Sequence, residues 1–207
     1  MSVTRTTTLP SERFGWGPPG HWPDVEVEER SDDALLRAAR LGDTDAFAAV
    51  VHRHGPGMRR FARFILGDDE DAADATQDAL VSAWRALPTF RGDSSLRTWL
   101  FTLVSRRAAD LQRRRRPVPV ADEQLERRLP ALPDTAAGTA VAADLLWALR
   151  SALQELPWRQ RASWVLREVE GLAYDEIAAA LGVTSGQVRG YLHRGRADLA
   201  ARMEAWR

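Results

Sequence analysis

The stretch Tyr174-Asp-Glu-Ile-Ala-Ala-Ala-Leu-Gly-Val-Thr-Ser-Gly-Gln-Val-Arg-Gly-Tyr-Leu-His-Arg-Gly-Arg196 constrains this chain more than any other. It reads as two short helices joined by a tight turn. Ala178 sits where two helices would cross, and a larger side chain there would hold them apart. Gly182 follows four residues on, where the backbone can turn through positive φ without a Cβ penalty. Thr184 or Ser185 can cap the second helix. Val188, Leu192 and Leu199 give that helix a buried stripe at helical spacing. The opposite face carries Gln187, Arg189, Gly190, His193 and Arg194, with Arg196 beyond, groups that reach phosphates and base edges. The expectation is a helix-turn-helix with Thr184 to Ala201 as recognition helix. A plain helical hairpin with a basic face is the simpler alternative. The small residue, the turn glycine and the polar face all falling in register speak against it.

Formal charge is zero over 207 residues, so bulk electrostatics alone does not point to nucleic acid. The charges are segregated. From Arg85 to Arg116 nine arginines face only Asp93 and Asp110, whereas from Asp32 to Asp78 ten acids stand against six bases. Such asymmetry suggests two different partners. All 29 basic residues are Arg, which reads first as the mark of a high-GC genome and second as chemistry, because Arg forks onto phosphate and guanine with fixed geometry. Cysteine is absent, excluding disulfides and thiolate metal sites. No apolar run approaches the ~20 residues of a membrane span, and the N-terminus lacks a signal-peptide core. A cytoplasmic protein without membrane insertion is expected.

Periodicity divides the chain. Residues 1–30 are rich in Thr, Pro, Gly and Glu and are read as a disordered extension, with a docking segment around Trp16 and Trp22 as the alternative. Asp32 or Asp33 is expected to cap a first helix. A second, about Asp45 to Leu66, should be interrupted or kinked at Gly55-Pro-Gly57. A third runs from Asp69 to about Leu87 with acids at its N-terminal end. Ser94 or Ser95 caps a long fourth helix ending at Arg116. Residues 117–140 read as a linker, and helices resume from Val141 to Leu156 and Pro157 to Glu170. No strand-like alternation occurs. The fold class is therefore all-α: two small helical domains, 31–116 and 141–207, joined by a flexible linker.

Two further features bear on function. Asp74, Gln77 and Asp78 share one face of the third helix, while Ala79, Leu80 and Ala83 face inward. Alone, such a stripe is a solvated helix face. The fourth helix and the loop before it interleave aromatics with cations, which suits single-stranded nucleic acid, since bases stack and phosphates pair with Arg. Part of the set Trp99, Phe101 and Leu103 must be core, leaving Phe90 and the polar loop residues as the better exposed contacts.

Taken in order, Asp74-x-x-Gln77-Asp78, Phe90…Thr98-Trp-Leu100, Asp110 and the Arg cluster, Leu156-Pro157…Arg161, Gly171-Leu172-x-Tyr-Asp-Glu-Ile177 and Gly186-x-Val-Arg189…Leu192-His-Arg-x-Arg196 resemble the extracytoplasmic-function (group IV) bacterial sigma factors, from residue 32 to 203. The resemblance implies a transcription-initiation subunit with a region 2 domain and a region 4 domain. Asp74, Gln77 and Asp78 would then dock on core RNA polymerase, supplying acceptors to a basic partner. Phe90, Arg91, Ser94, Ser95, Arg97, Thr98 and Trp99 would capture the single-stranded −10 element, with Arg106, Arg107, Arg113, Arg114, Arg115 and Arg116 on its backbone. The helix-turn-helix would read duplex −35 DNA through Thr184, Ser185, Gln187, Arg189, Gly190, His193, Arg194 and Arg196. An anti-sigma factor is a further partner that the resemblance suggests. No catalytic residue, cofactor, metal or small-molecule substrate is expected.

Some positions depart from the family pattern. Arg106 stands where Asn is common, and Leu100 replaces the second aromatic of primary sigma factors, as is usual for this group. Gln187 and Tyr191 replace the common Thr and Arg, and Gly190 and Gly195 are expected to soften the helix. Gln is a good adenine reader. Two other functions fit less of the sequence. A free-standing helix-turn-helix regulator leaves the acidic and Arg-Trp helices unexplained. A metal-dependent nuclease built on Asp68 to Asp71 fails because consecutive carboxylates on a helix diverge, and His52 and His54 are wrongly spaced to share one metal.

Overall fold

The computed structural model describes residues 30–115 and 140–204, so the expected disordered extension, Arg116 and most of the expected linker lie outside the described residues. The chain divides into two compact units, Met1–Arg53 and His54–Arg207, with the boundary inside a helix.

In the first unit, α1 spans Asp32–Arg40 and α2, Thr44–Leu66, begins. Ser31, rather than Asp32 or Asp33, is the N-cap of α1, its Oγ accepting from the Ala34 amide at 3.3 Å. Asp32 is thereby left to accept from Arg53 at 2.6 Å. Asp43 caps α2 by accepting from the amides of Asp45 and Ala46, each at 3.0 Å. Leu35, Ala39, Ala46, Phe47, Val50 and Val51 are buried.

The second unit opens within α2. The helix runs on through Gly55-Pro56-Gly57, so the expected interruption does not occur. Pro56 lies on the exposed side, where ring and missing N–H meet solvent rather than core. Asp68 caps α3, Asp69–Ala86, at 2.9 Å from the Asp71 amide. A 3₁₀ turn, Leu87–Thr89, with Pro88 inside it, leads toward α4, Leu96–Arg115. Ser95 caps α4, accepting from the Thr98 amide at 3.1 Å. Beyond the undescribed stretch come α5, Ala140–Glu155, and α6, Trp158–Trp164, which widens into a π turn over Val165–Val169. Gly171, at φ 71°, turns the chain into α7, Tyr174–Leu181, and α8 follows over Ser185–Arg202. No strand occurs among the described residues.

Small residues allow close packing. Ala72, Ala75, Ala79 and Ala83 are fully buried on one stripe of α3, which packs along α4. Phe61 of α2 meets Phe101 of α4 edge-on, with ring centroids 5.9 Å apart, a preferred aromatic geometry. Ala152, Leu153 and Leu156 of α5 cluster with Leu199 of α8, flanked by Phe64, Leu149, Trp164 and Met203. Gln154 joins three helices in that region. Its Nε2 donates to the Phe64 carbonyl at 2.7 Å and its Oε1 accepts from the buried Arg161 at 2.5 Å. α4 also packs directly on α7.

Candidate nucleic-acid and polymerase interface

The helix-turn-helix forms as its sequence dictates. Gly182 ends α7 in the left-handed region at φ 63°, and Thr184 caps α8. The cap is reciprocal: the Gln187 amide donates to Thr184 Oγ1 at 3.2 Å, and the Thr184 amide donates to Gln187 Oε1 at 2.9 Å. Val188, Leu192 and Leu199 are buried, and Gln187, Arg189, His193, Arg194 and Arg196 are exposed. Ser185 and Gly190 are half-buried. Arg194 folds back over the bare backbone of Gly190, where an added Cβ would lie 3.3 Å from its guanidinium, and stacks 5.6 Å from the Tyr191 ring. Arg196 donates to Glu168 at 2.5 Å, which raises its pKa above the ordinary guanidinium value. Gly195, expected to soften the helix, is instead buried against the backbone of Gln160 in α6.

Asp74, Gln77 and Asp78 are all exposed on α3, and Ala75, Thr76, Ala79 and Leu80 between them are buried. The stripe is thus an outward row of acceptors on a helix fixed from behind.

The residues on and before α4 are more divided. Arg91, Ser95, Arg106, Arg113 and Arg114 are exposed, and Ser94, Arg97, Trp99 and Arg107 are half-buried. Phe90 corrects the expectation of an exposed contact: it is only 8% exposed, because its ring lies on Trp99 with centroids 4.6 Å apart. Thr98, 2% exposed, is likewise inward, since its Oγ1 donates to Glu176 Oε1 at 2.8 Å. Arg107 donates back to Ser82 of α3 at 3.3 Å, and Arg113 pairs with Asp110. The side chain of Arg115, like Arg116, lies outside what is described.

Residues not anticipated complete this region. Arg60 of α2 clasps the Glu170 carboxylate through Nε and Nη2, at 2.8 and 3.0 Å, and Arg97 of α4 donates to the Glu170 carbonyl oxygen. Glu176 also accepts from the Ala173 amide at 2.9 Å, so it closes α7 while holding Thr98. Sequence offered little sign of these pairs, because their members lie 73 to 110 positions apart. Among the described residues no group of three or more His, Asp or Glu side chains is arranged to hold a metal, and no helix is long and apolar enough to cross a membrane.

Known proteins with these parts agree. Residues 50–118 match the family model Sigma-70 region 2, and residues 146–199 match Sigma-70, region 4. The ECF RNA polymerase sigma factor SigM of Mycobacterium tuberculosis is 37% identical over 187 residues, covering 88% of this chain and 91% of that one. Among solved structures, CnrH in complex with the cytosolic domain of CnrY is similar with a TM-score of 0.65 at 32% identity, covering 84% of this chain and 97% of that one. The Bartonella quintana sigma factor RpoE, solved with the anti-sigma factor NepR, gives a TM-score of 0.63 at 25% identity, over 78% of this chain and 98% of that one. Such proteins are transcription regulators rather than classical enzymes. With both regions present in order, and a relative this similar along almost its whole length, the chain belongs to the ECF sigma factors, which direct RNA polymerase to promoters.

Proposed function

We propose that three faces divide the work of this sigma factor. The acceptor row of Asp74, Gln77 and Asp78 docks on core polymerase. The arginines of α4, with Trp99 and the Ser94–Ser95 loop, hold the melted −10 strand. The outer face of α8 reads the −35 duplex. The domains that carry these tasks are 31–116 and 141–207, with 117–140 between them and 1–30 as an extension. The protein works in the cytoplasm, and an anti-sigma factor, like the NepR solved with RpoE, binds it.

The observation that carries this reading is the outward row on α3: three polar side chains are exposed while every residue packed beneath them is buried. A solvated face needs no such acidic and amide pattern beside a strongly basic helix. Strand opening then draws on trapped bases, each worth about 1–3 kcal/mol of stacking.

Reconstitution with core polymerase on a genomic library, followed by run-off transcription, tests the whole. Promoter-specific transcripts are expected. Their absence, with duplex binding by the chain alone, would favour a free-standing regulator. Asp74→Arg should abolish core binding while circular dichroism stays unchanged; an unaltered affinity would remove α3 as the docking face.

A further inference from the structure

Glu170 is a buried carboxylate with an unusual seat. Its side chain is 2% exposed, yet the arginines that hold it, Arg60 and Arg97, remain 49% and 39% exposed. The cations therefore open outward while the anion is sealed beneath them. The seat has a floor as well. Gly57 of α2 faces the carboxylate so closely that a Cβ there would stand 2.9 Å from Glu170 Oε2, nearer than side chains tolerate. Arg97 is further fixed by the Phe101 ring, 5.7 Å from its guanidinium.

Arg60 clasps the carboxylate with two hydrogen bonds, whereas Arg97 donates to the main-chain carbonyl of Glu170 and stands 3.7 Å from its Oε2. A glycine floor with one forked guanidinium and a second cation alongside suits an oxyanion, and bidentate Arg is the usual phosphate clasp. α2 and α4 supply this receptor, and the segment after α6 supplies its present occupant. Beside it, Glu176 occupies Thr98 and Ser95 of the same α4 N-terminus, at 2.8 and 3.5 Å. Two acids thus stand at the N-terminal end of α4, Glu170 beside Arg97 and Glu176 on Thr98 and Ser95.

We propose that Gly57, Arg60 and Arg97 form a seat for one backbone phosphate of the single-stranded −10 DNA, and that Glu170 occupies it as an internal phosphate mimic when strand is absent. Arg60 and Gly57 thereby join the DNA-binding residues, although neither lies on α4. Glu170 must leave before the strand can enter, so the free chain binds single strands less well than its arginines allow. This rests on the reading of α4 as the −10 helix.

The test uses the full chain, free and in holoenzyme, with a fluorescein-labelled mixed-sequence single strand of about 12 nucleotides, within the span of a single-strand groove. Glu170→Gln keeps the volume and removes the competing charge. It should tighten binding by the free chain about tenfold, the worth of one charge-assisted contact. Adding Arg60→Gln to it should remove that gain. In holoenzyme, Arg60→Gln alone should lower the slope of log affinity against log salt by about 0.7, one phosphate contact on a single strand. This arm decides the matter even if Glu170→Gln fails to fold. An unchanged affinity in folded Glu170→Gln, a gain that survives the loss of Arg60, or an unchanged salt slope would each overturn the seat. Wild-type holoenzyme that binds no single strand would instead overturn the reading of α4, and the seat with it.

Discussion

At Gln187 the type of a side chain and its availability for DNA come apart. A bidentate adenine contact needs both its carbonyl oxygen and its amide nitrogen. Its Oε1 already accepts from Thr184, closing the cap of α8, so the nitrogen is what remains for DNA. Gln187 is therefore first a capping residue, and under the proposed −35 reading only its amide nitrogen is left to donate to a base. Gln187→Ala should cost about 1 kcal/mol by chemical denaturation, the usual worth of an N-terminal cap. Gln187→Glu should retain most of that stability, since Glu serves equally at this capping position, while weakening −35 binding because a carboxylate offers no donor. Equal stability losses in both variants would show that the cap is not what Gln187 contributes. Arg194 depends on its neighbours in a different way, with Gly190 leaving room for its guanidinium and Tyr191 stacking against it.

Elements were legible where local signals agreed. Ser95, Thr184 and Gly182 marked ends that the structure keeps, because capping and positive φ are decided within a few residues. Ala79 and Ala83 of α3 were legible by spacing. Phe90 was not, since its exposure depends on whether Trp99, on the next element, lies over it. The π turn at Val165–Val169 carried no local sign either, and neither did the Gly57 floor, which only has meaning once Glu170 arrives. Gln154 belongs to the same class: an ordinary-looking amide on α5 that satisfies the end of α2 and the buried Arg161 of α6 together. Gln154→Ala should destabilise the chain by about 2 kcal/mol, since it strips partners from buried polar groups. A denaturation midpoint unchanged from wild type would mean that water or a rearranged Arg161 replaces it.

For the whole molecule the decisive quantity is where charge sits, not its sum. A chain of zero net charge would be expected to bind nucleic acid weakly and with little response to salt. Here the acids that balance the arginines are partly consumed internally: Glu168 on Arg196, Glu170 on Arg60 and Arg97, Asp32 on Arg53. Counterion release depends on the phosphates neutralised locally, and the net charge of the protein does not enter that count. Arg91, Arg106, Arg113 and Arg114 are exposed along one loop and helix, and among the described residues Arg113 alone of these has an acidic partner close by, Asp110. If those four each meet a phosphate, log affinity of the holoenzyme for single-stranded DNA should fall against log salt with a slope of about −3. Titration across a series of salt concentrations measures it directly, and replacing Arg106 and Arg114 by Gln together should bring the slope to roughly half that value. A slope near zero in the wild type would mean that stacking on Trp99 carries strand capture and that the arginine row is solvated surface.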